Sequence, residues 1–294
     1  MTEFHHILFP VDFSPRCQGT APFVKEMARR YGARVSLLHI TEISPQVYGP
    51  MDAWVPMVGD YEPLQQANRE RMRNFAKQHF VDLGANLKVE EVCELGDAAH
   101  SITEYAESAG VDLIMMPTHG YGRFRGLLLG SVTAKVLHDA KCPVWTGVHL
   151  EEPPSLEHLK LRNILCAVDL KKESVNVAKF AFAVASAHGA CVRLVHTVPS
   201  AETRPEEYFD EKMKHSLIEA ARSELVELQR ESGGGSEEVR VEAGTVSKKV
   251  RAVALQFHAD LIVIGRGLLH APFGRLRTNA YAIIRDAPCP VLSV

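Results

Sequence analysis

The chain contains the same sequence pattern twice, and this duplication restricts its possible folds more than any other feature. Residues 164–197 align with residues 7–40 without a gap, at a constant offset of 157 positions. The identical pairs in this alignment include Ile7/Ile164, Leu8/Leu165, Val11/Val168, Asp12/Asp169, Gly32/Gly189, Val35/Val192, Leu37/Leu194 and His39/His196. The motif DLI at 112–114 recurs at 260–262, and CPV at 142–144 recurs at 289–291. A repeat of this length indicates a duplicated domain, not a solenoid of short units.

Length and composition agree with two globular domains. The 294 residues match two domains of about 150 residues each, and we place them at 1–148 and 163–294. The segment 149–162 between them is acidic, polar and proline-bearing, which is typical of a linker. With 46% hydrophobic and 23% charged residues, the composition is that of an ordinary globular protein.

Several classes of partner and location are disfavoured. The net charge of −3 gives no argument for a nucleic-acid partner, and no apolar run approaches the ~18–20 residues that would span a bilayer. The N-terminal segment lacks the basic start and the cleavage site of a signal peptide. Six cysteines without a C-x-x-C pair are too sparse for a disulfide framework. We therefore expect a cytoplasmic protein with reduced thiols and neither a nucleic-acid nor a membrane partner.

Short apolar segments alternate with amphipathic ones throughout each half. The predicted strands of the first half are 7–11, 35–40, 87–92, 113–116 and 143–148. The predicted helices between them are 15–31, 62–83, 98–108 and 132–140, and further helices are predicted near 206–230 and 245–258 in the second half. Strands that alternate with helices of this length predict an α/β fold, here two tandem doubly wound domains with parallel sheets.

A glycine-rich loop joins the fourth predicted strand to the fourth helix. It carries Gly120, Gly122, Gly126 and Gly130, with Arg123 and Arg125 between them. Ser131 follows as the predicted N-cap of the helix. Such a loop can hold phosphate, because glycines let the backbone approach closely and the helix start presents free amides. The spacing fits neither G-x-G-x-x-G nor the P-loop, and the alternative is a loop whose glycines serve only turn geometry.

The order of these motifs resembles that of a tandem universal stress protein. The family signature is G-x-x-G, nine residues, then G-[ST]; here Gly120 and the pair Gly130-Ser131 match, while Pro117 replaces the first glycine. Each half also opens with a strand ending in Asp, carries DLI before its loop and closes with CPV. The resemblance covers nearly the whole chain. It implies two five-stranded parallel sheets of the adenine nucleotide alpha hydrolase-like fold, with ATP at the carboxyl edge in many members.

The resemblance and the fold rule for open α/β sheets together place a nucleotide site in the first half. Asp12 would accept hydrogen bonds from the adenine amine or a ribose hydroxyl, and the alternative role is to cap the first helix. The backbone of Ile40 would hold adenine, and Met116 and Pro117 would flank the nucleoside, although Pro117 offers no N–H. The predicted site is Pro10, Asp12, Ile40, Met116, Pro117, Gly120, Arg123, Gly130, Ser131 and Val132.

The predicted phosphate end of this site is the glycine loop and the start of its helix. Gly130 would admit the phosphates, and Ser131 and the following amides would bind them. Arg123 and Arg125 could neutralise phosphate charge or could equally be solvated. The predicted ligand is ATP, with or without Mg²⁺, and no cluster of residues fits a protein-bound metal. His39 and His196 recur at matched strand ends, which favours shared packing over metal ligation.

The second half has lost the phosphate-binding residues. Gly130-Ser131 becomes Arg277-Thr278, and Gly267 matches Gly120 after a one-residue deletion. A guanidinium would occupy the space of a phosphate, so we expect a degenerate second site. Arg266, Arg275 and Arg277 could instead bind a smaller anion or pair with local carboxylates.

Together with these observations, the resemblance implies a cytoplasmic stress-response protein that binds ATP in its N-terminal domain and acts as a sensor or regulator. The alternatives are a slow ATPase and a nucleotide-free interaction module. The sequence offers no Walker-type lysine and no general base placed by a catalytic motif, which argues against fast turnover. We also expect the two domains to pair through their closing strands as an intramolecular pseudo-dimer, and a homodimer could form in addition.

Overall fold

The computed structural model describes residues 4–42, 61–83, 87–120, 129–147, 159–199, 211–266 and 278–294. The elements of the first half are β1 (His6–Pro10), α1 (Pro15–Tyr31), β2 (Arg34–Thr41), α2 (Glu62–Phe80) with a 3₁₀ turn (Val81–Leu83), β3 (Val89–Leu95), α3 (Ala98–Ser108), β4 (Leu113–Pro117), α4 (Ser131–Asp139) and β5 (Val144–Gly147). Those of the second half are β6 (Asn163–Ala167), α5 (Ser174–His188), β7 (Cys191–Val198), α6 (Glu211–Glu231), β8 (Arg240–Ala243), α7 (Val246–Gln256), β9 (Leu261–Ile264), α8 (Thr278–Asp286) and β10 (Val291–Ser293).

The strands of the described residues form one sheet in the order β3-β2-β1-β4-β5-β10-β9-β6-β7-β8. Within each half the neighbouring strands are parallel. Both halves therefore have the doubly wound parallel arrangement that the sequence predicts and the five strands that the resemblance implies, so the α/β prediction is confirmed. β5 and β10 pair antiparallel and join the halves, with Leu292 opposite Trp145. The hydroxyls of Thr146 and Ser293 reinforce the junction by donating to Val291 O (3.2 Å) and Val144 O (3.1 Å).

Helices cover both faces of this sheet. In β1, Ile7 and Phe9 are buried in one apolar layer and Leu8 in the other, because successive strand residues face opposite sides. α1 and α2 pack into the first layer, and α3 and α4 into the second. Since the crossovers that leave β1 and β4 lie on opposite faces, a crevice opens between the carboxyl ends of these two strands.

Local capping explains where the first helix of each half begins. The Ser14 hydroxyl accepts a hydrogen bond from Cys17 N (3.1 Å), Pro15 occupies the first turn, and Gly32 ends α1 with φ of 65°. In the second half Lys172 stands at the position of Pro15, and α5 begins two aligned positions later. Its N-cap, Glu173, makes no side-chain capping bond.

The predicted limits of the third strand, 87–92, are wrong, because β3 runs from Val89 to Leu95. Pairing with β2 sets the limits of this edge strand, and apolar periodicity does not.

Two further properties hold for the part of the chain that the structure describes. No helix there is long and apolar enough to cross a membrane. No group of three or more His, Cys, Asp or Glu side chains there could hold a metal ion.

Candidate functional site

A cavity of about 760 Å³ opens at the carboxyl ends of β1, β2 and β4, where the strand order reverses. Nine of the ten predicted site residues line it: Pro10, Asp12, Ile40, Met116, Pro117, Gly120, Gly130, Ser131 and Val132. The tenth, Arg123, lies outside the described residues, as does Arg125. Residues scattered over more than 100 positions therefore meet in one crevice, as the fold rule predicts.

Asp12 holds the turn that leaves β1. Its Oδ1 accepts a hydrogen bond from Ser14 N at 2.9 Å, while Ser14 itself caps α1. The carboxylate also packs closely against the glycine loop, because a Cβ atom on Gly120 would lie 2.4 Å from Asp12 Oδ2. Only glycine fits at position 120 without moving the carboxylate.

Gly130 is the N-cap of α4, so the prediction that Ser131 caps this helix is wrong. Gly130 N donates to Thr118 O (2.9 Å), and Gly130 O accepts from Ala134 N (2.8 Å). A Cβ at this position would lie 3.1 Å from Thr118 O, closer than ordinary contact allows. Close approach to the end of β4 therefore outweighs the preference of serine for N-caps.

The start of α4 faces the cavity without a side-chain cap. Gly130 makes no side-chain capping bond, and Ser131, Val132 and Thr133 line the cavity. The first amides of a helix have no partner within the helix and carry its partial positive charge. The Thr133 hydroxyl donates to Pro117 O (3.1 Å), so one β4 carbonyl is already engaged. This end of the cavity is suited to an anion.

The residues of α2 that form one wall of the cavity were not identified from the sequence. Asn68, only 4% exposed, donates through Nδ2 to Thr41 Oγ1 at 2.8 Å. The guanidinium of Arg71 lies 4.2 Å from the centre of the Phe13 ring. Asn68 and Arg71 both line the cavity, but neither belongs to a sequence motif. The one available signal was a polar residue, Asn68, on the apolar stripe that also contains Met72 and Phe75.

His39 also lines the cavity, where its neutral ring packs at the end of β2. Its Nδ1 lies 2.7 Å from Val11 O, and since a carbonyl only accepts, Nδ1 carries the hydrogen. Burial lowers the pKa of His39, and the charge of Arg71 lowers it further against the opposing effect of that hydrogen bond. His196 repeats the contact with Val168 O at 2.9 Å. The matched bonds support the packing interpretation of both histidines.

The second half has a much smaller cavity at the equivalent edge, of about 200 Å³. Asp169, which matches Asp12, accepts from Lys171 N (3.2 Å) and from the Ser174 hydroxyl (3.1 Å). The Lys171 ammonium also lies 3.4 Å from Asp169 Oδ2. The aspartate is thus retained but is held by its own turn. Gly267, Arg275 and Arg277 lie outside the described residues.

Arg266, which the sequence suggested as a partner for a small anion or a local carboxylate, lies at the junction between the two halves and makes bonds that the sequence did not indicate. It is 2% exposed, and its guanidinium donates to three carbonyls of the first half. Nη1 donates to Leu137 O and Ala140 O (both 3.2 Å), and Nη2 donates to Cys142 O (2.6 Å). These carbonyls end α4, where the helix carries partial negative charge. The antiparallel junction places Arg266 there, which no local motif could indicate.

Comparisons with known proteins agree with this architecture. The model of the universal stress protein family matches residues 3–146 and again 160–294. Universal stress protein A homolog 1 of Coxiella burnetii is 31% identical over 148 residues, which cover 48% of this chain and 94% of that protein. Universal stress protein MJ0577 of Methanocaldococcus jannaschii is 28% identical over 155 residues, 48% of this chain and 93% of that protein.

A solved structure supports the fold of the whole chain. The crystal structure of a universal stress protein from Archaeoglobus fulgidus DSM 4304 superposes with a TM-score of 0.69 at 20% identity. The superposition covers 100% of this chain and 97% of the Archaeoglobus chain. At this identity the likeness shows the adenine nucleotide alpha hydrolase-like fold and nothing further. Since the family model accounts for both halves, this chain belongs to the universal stress protein family and carries two copies of its domain in tandem.

Proposed function

We propose that this chain binds one ATP molecule in the cavity of its first domain and acts as a cytoplasmic stress sensor or regulator. The observation that carries the proposal is the convergence of nine predicted residues on one cavity of about 760 Å³. That volume lies within the ~300–1,000 Å³ typical of small-molecule sites. The cavity also has chemically different ends, which suits a ligand with an apolar ring and an anionic tail.

The adenosine part would lie against the strand ends. Ile40 and Met116 supply apolar surface, and Asp12 supplies a carboxylate for the adenine amine or a ribose hydroxyl. The phosphates would lie at the start of α4, where the amides of Ser131 and Val132 and the helix dipole favour negative charge. Mg²⁺, if bound, would be held mainly by the phosphates and water, since no described side-chain cluster provides a metal site.

The second domain would remain empty of nucleotide. Its cavity of about 200 Å³ is below the range of sites that take ligands of this size. Lys171 N and the Ser174 hydroxyl donate to Asp169 Oδ1, and the Lys171 ammonium lies 3.4 Å from Oδ2, so these groups would compete with a ribose or adenine for the carboxylate. These differences between the halves support a stoichiometry of one nucleotide per chain.

A sensor role fits the cavity better than rapid catalysis. Hydrolysis needs an oriented water and neutralisation of charge on the transferring phosphoryl group. None of the residues Gly130–Thr133 at the phosphate end carries a charge. The amides at the start of α4 can hold the phosphates, but they supply no cationic group to neutralise the transferring phosphoryl group.

The two domains would act as one body, an intramolecular pseudo-dimer. The β5–β10 pairing supports this, since it removes two exposed strand edges within a single chain. Tyr31 and His188, which occupy aligned positions, also pack ring to ring at 5.7 Å. Small-angle scattering should give one compact particle; two lobes that tumble independently would contradict the pairing.

The decisive experiment measures bound nucleotide and turnover on the same preparation. Mass spectrometry of ligand released from freshly purified, denatured protein should find ATP, and calorimetry on nucleotide-free protein should give one site per chain. Turnover should stay well below the ~1–10³ s⁻¹ of ordinary enzymes. The absence of any ATP binding would favour a nucleotide-free interaction module, and turnover within the enzyme range would favour an ATPase.

A further inference from the structure

The second domain contacts the phosphate-facing helix of the first domain just before its start. Leu129 N donates a hydrogen bond to the hydroxyl oxygen of Tyr281 at 2.9 Å. Tyr281 lies on α8, and its ring packs into the apolar layer that contains α4. Leu129 lines the cavity and directly precedes Gly130, the N-cap of α4. A hydroxyl of one domain therefore fixes the last loop amide before the predicted phosphate site of the other.

The other end of α4 is also held by the second domain. The buried guanidinium of Arg266 donates to Leu137 O, Ala140 O and Cys142 O, at the last turn of the helix and beyond it. Arg266 is itself fixed close to the junction strand, because its backbone N donates to Val294 O at 2.8 Å. The nine residues of α4 are thus held from both ends by side chains of the degenerate copy.

Among the described residues, those of the first half at the matching positions do not return this support. Thr118 and Ala134 occupy the positions in the first half that match Arg266 and Tyr281. The Ala134 side chain has no group that could form a hydrogen bond, so it cannot return the contact that Tyr281 makes. The Thr118 hydroxyl lies 3.1 Å from His119 Nδ1 within its own domain. The copy that lost the nucleotide residues carries the supporting residues instead.

We propose that Tyr281 is a positioning residue for the nucleotide phosphates, and that Arg266 anchors the opposite end of the same helix. This inference rests on the function proposed above. Phosphate binding at Gly130–Val132 requires these residues to hold one conformation, and any ordering that precedes binding raises affinity. The Tyr281 bond supplies such ordering at the residue next to the N-cap. The second domain therefore influences the affinity of a cavity whose described lining comes entirely from the first domain.

Tyr281→Phe tests this directly, because it keeps the partly buried ring and removes only the hydroxyl that accepts from Leu129 N. Calorimetry should show ATP affinity reduced about three- to tenfold, the loss expected for one hydrogen bond. Adenosine affinity should not change, because adenosine has no phosphate to reach α4. Hydrogen exchange at the Leu129 amide should be faster in the nucleotide-free variant, because that amide has lost its acceptor.

Tyr105→Phe is the matched control. Tyr105 donates its hydroxyl to Ser36 Oγ at 3.0 Å, and its ring packs into the same apolar layer, but it is not among the described residues that line the cavity. This variant should lose comparable stability and keep both ligand affinities. It separates a general loss of stability from a local effect on α4.

The outcomes distinguish the inference from the function on which it rests. A wild-type chain that binds neither ATP nor adenosine overturns the proposed function, and the positioning role with it. A wild-type chain that binds ATP, with Tyr281→Phe binding ATP equally well, overturns only the positioning role. Parallel losses of ATP and adenosine affinity in Tyr281→Phe also overturn it, because a purely structural defect would produce them.

Discussion

The first and second domains share strand order and many residues, but they differ at the edge where a ligand would bind. The first has a cavity of about 760 Å³ and the second one of about 200 Å³. At the start of α4 the first has Gly130, and the aligned position in the second is Arg277. Asp12 and Asp169 each accept a backbone hydrogen bond from the residue two positions later, but Asp169 also accepts from the Ser174 hydroxyl and lies 3.4 Å from the Lys171 ammonium.

What both domains kept are the residues that build the scaffold. Asp112, the aspartate of the first DLI motif, accepts from the backbone N of His5 (2.8 Å) and His6 (2.9 Å) at the start of β1. Asp260 does the same for Arg162 (2.8 Å) and Asn163 (2.9 Å) at the start of β6. These motifs thus serve strand alignment and not ligand binding. A duplicated domain can lose its site and keep its fold because different residues serve the two purposes.

The largest expected effect comes from giving the first domain the arginine of the second. Gly130→Arg should lower ATP affinity at least a hundredfold, since even a Cβ would lie 3.1 Å from Thr118 O and the long side chain would fill the phosphate end. Gly130→Ala, which adds only that Cβ, should cost less. Calorimetry measures both, and circular dichroism verifies folding. Unchanged binding in Gly130→Arg would place the site elsewhere, and two equivalent sites in the wild type would contradict the asymmetry.

The next effect concerns stability and the residues that hold α4. Arg266→Met should lower the free energy of unfolding by about 2 to 4 kcal/mol, because three carbonyls lose a buried donor. Thr118→Val, at the matching position of the first domain, should cost less than about 1 kcal/mol. Urea denaturation followed by fluorescence measures both. Equal losses of stability in the two variants would mean that Thr118 contributes as much to stability as Arg266, which contradicts the one-sided support proposed here.

The third pair of variants compares how much Asp12 and Asp169 each contribute to ATP affinity. Asp12→Asn keeps an oxygen for Ser14 N and removes the negative charge, so ATP affinity should fall about tenfold while the turn remains. Asp169→Asn should leave ATP affinity and stoichiometry unchanged. Calorimetry on the two purified variants makes the comparison. A fall of similar size in Asp169→Asn would mean that the second domain contributes to binding.

The sequence predicts most of this architecture because the relevant signals are local. The strands and helices of the first half follow from apolar periodicity and caps such as Ser14 and Gly32. The predicted site residues that the structure describes lie in the last residues of a strand, in the turn after a strand or at the start of a helix, and topology brings those positions together.

The contacts that the sequence does not predict join distant parts of the chain. Arg71 lies on a helix without a motif, and its role depends on how α2 packs over β2. Arg266 and Tyr281 reach partners 124 to 152 positions away, across a junction whose register is set by β5 and β10. Periodicity within one element carries no information about such pairing.

The smallest expected effect concerns Tyr31 and His188, aligned residues whose rings meet between the domains. Burial lowers the pKa of His188 to about 4, and the charge of Arg30 acts in the same direction. In the unfolded chain this ring takes up a proton near its ordinary pKa of about 6.5. As pH falls from that value toward 4, the unfolded state binds a proton that the folded state does not, so the wild type loses stability.

His188→Phe should remove this part of the pH dependence and retain ring packing. Between pH 7 and pH 5 the free energy of unfolding of the wild type should fall by about 1 kcal/mol more than that of the variant, a figure reduced for the partial exposure of the ring. Tyr31→Phe is the control: burial raises the pKa of Tyr31 to about 12, so neither residue at that position titrates in this range. Urea denaturation at both pH values gives the difference. If His188→Phe follows the wild-type curve, this histidine titrates normally in the folded chain, and the junction between the domains admits water there.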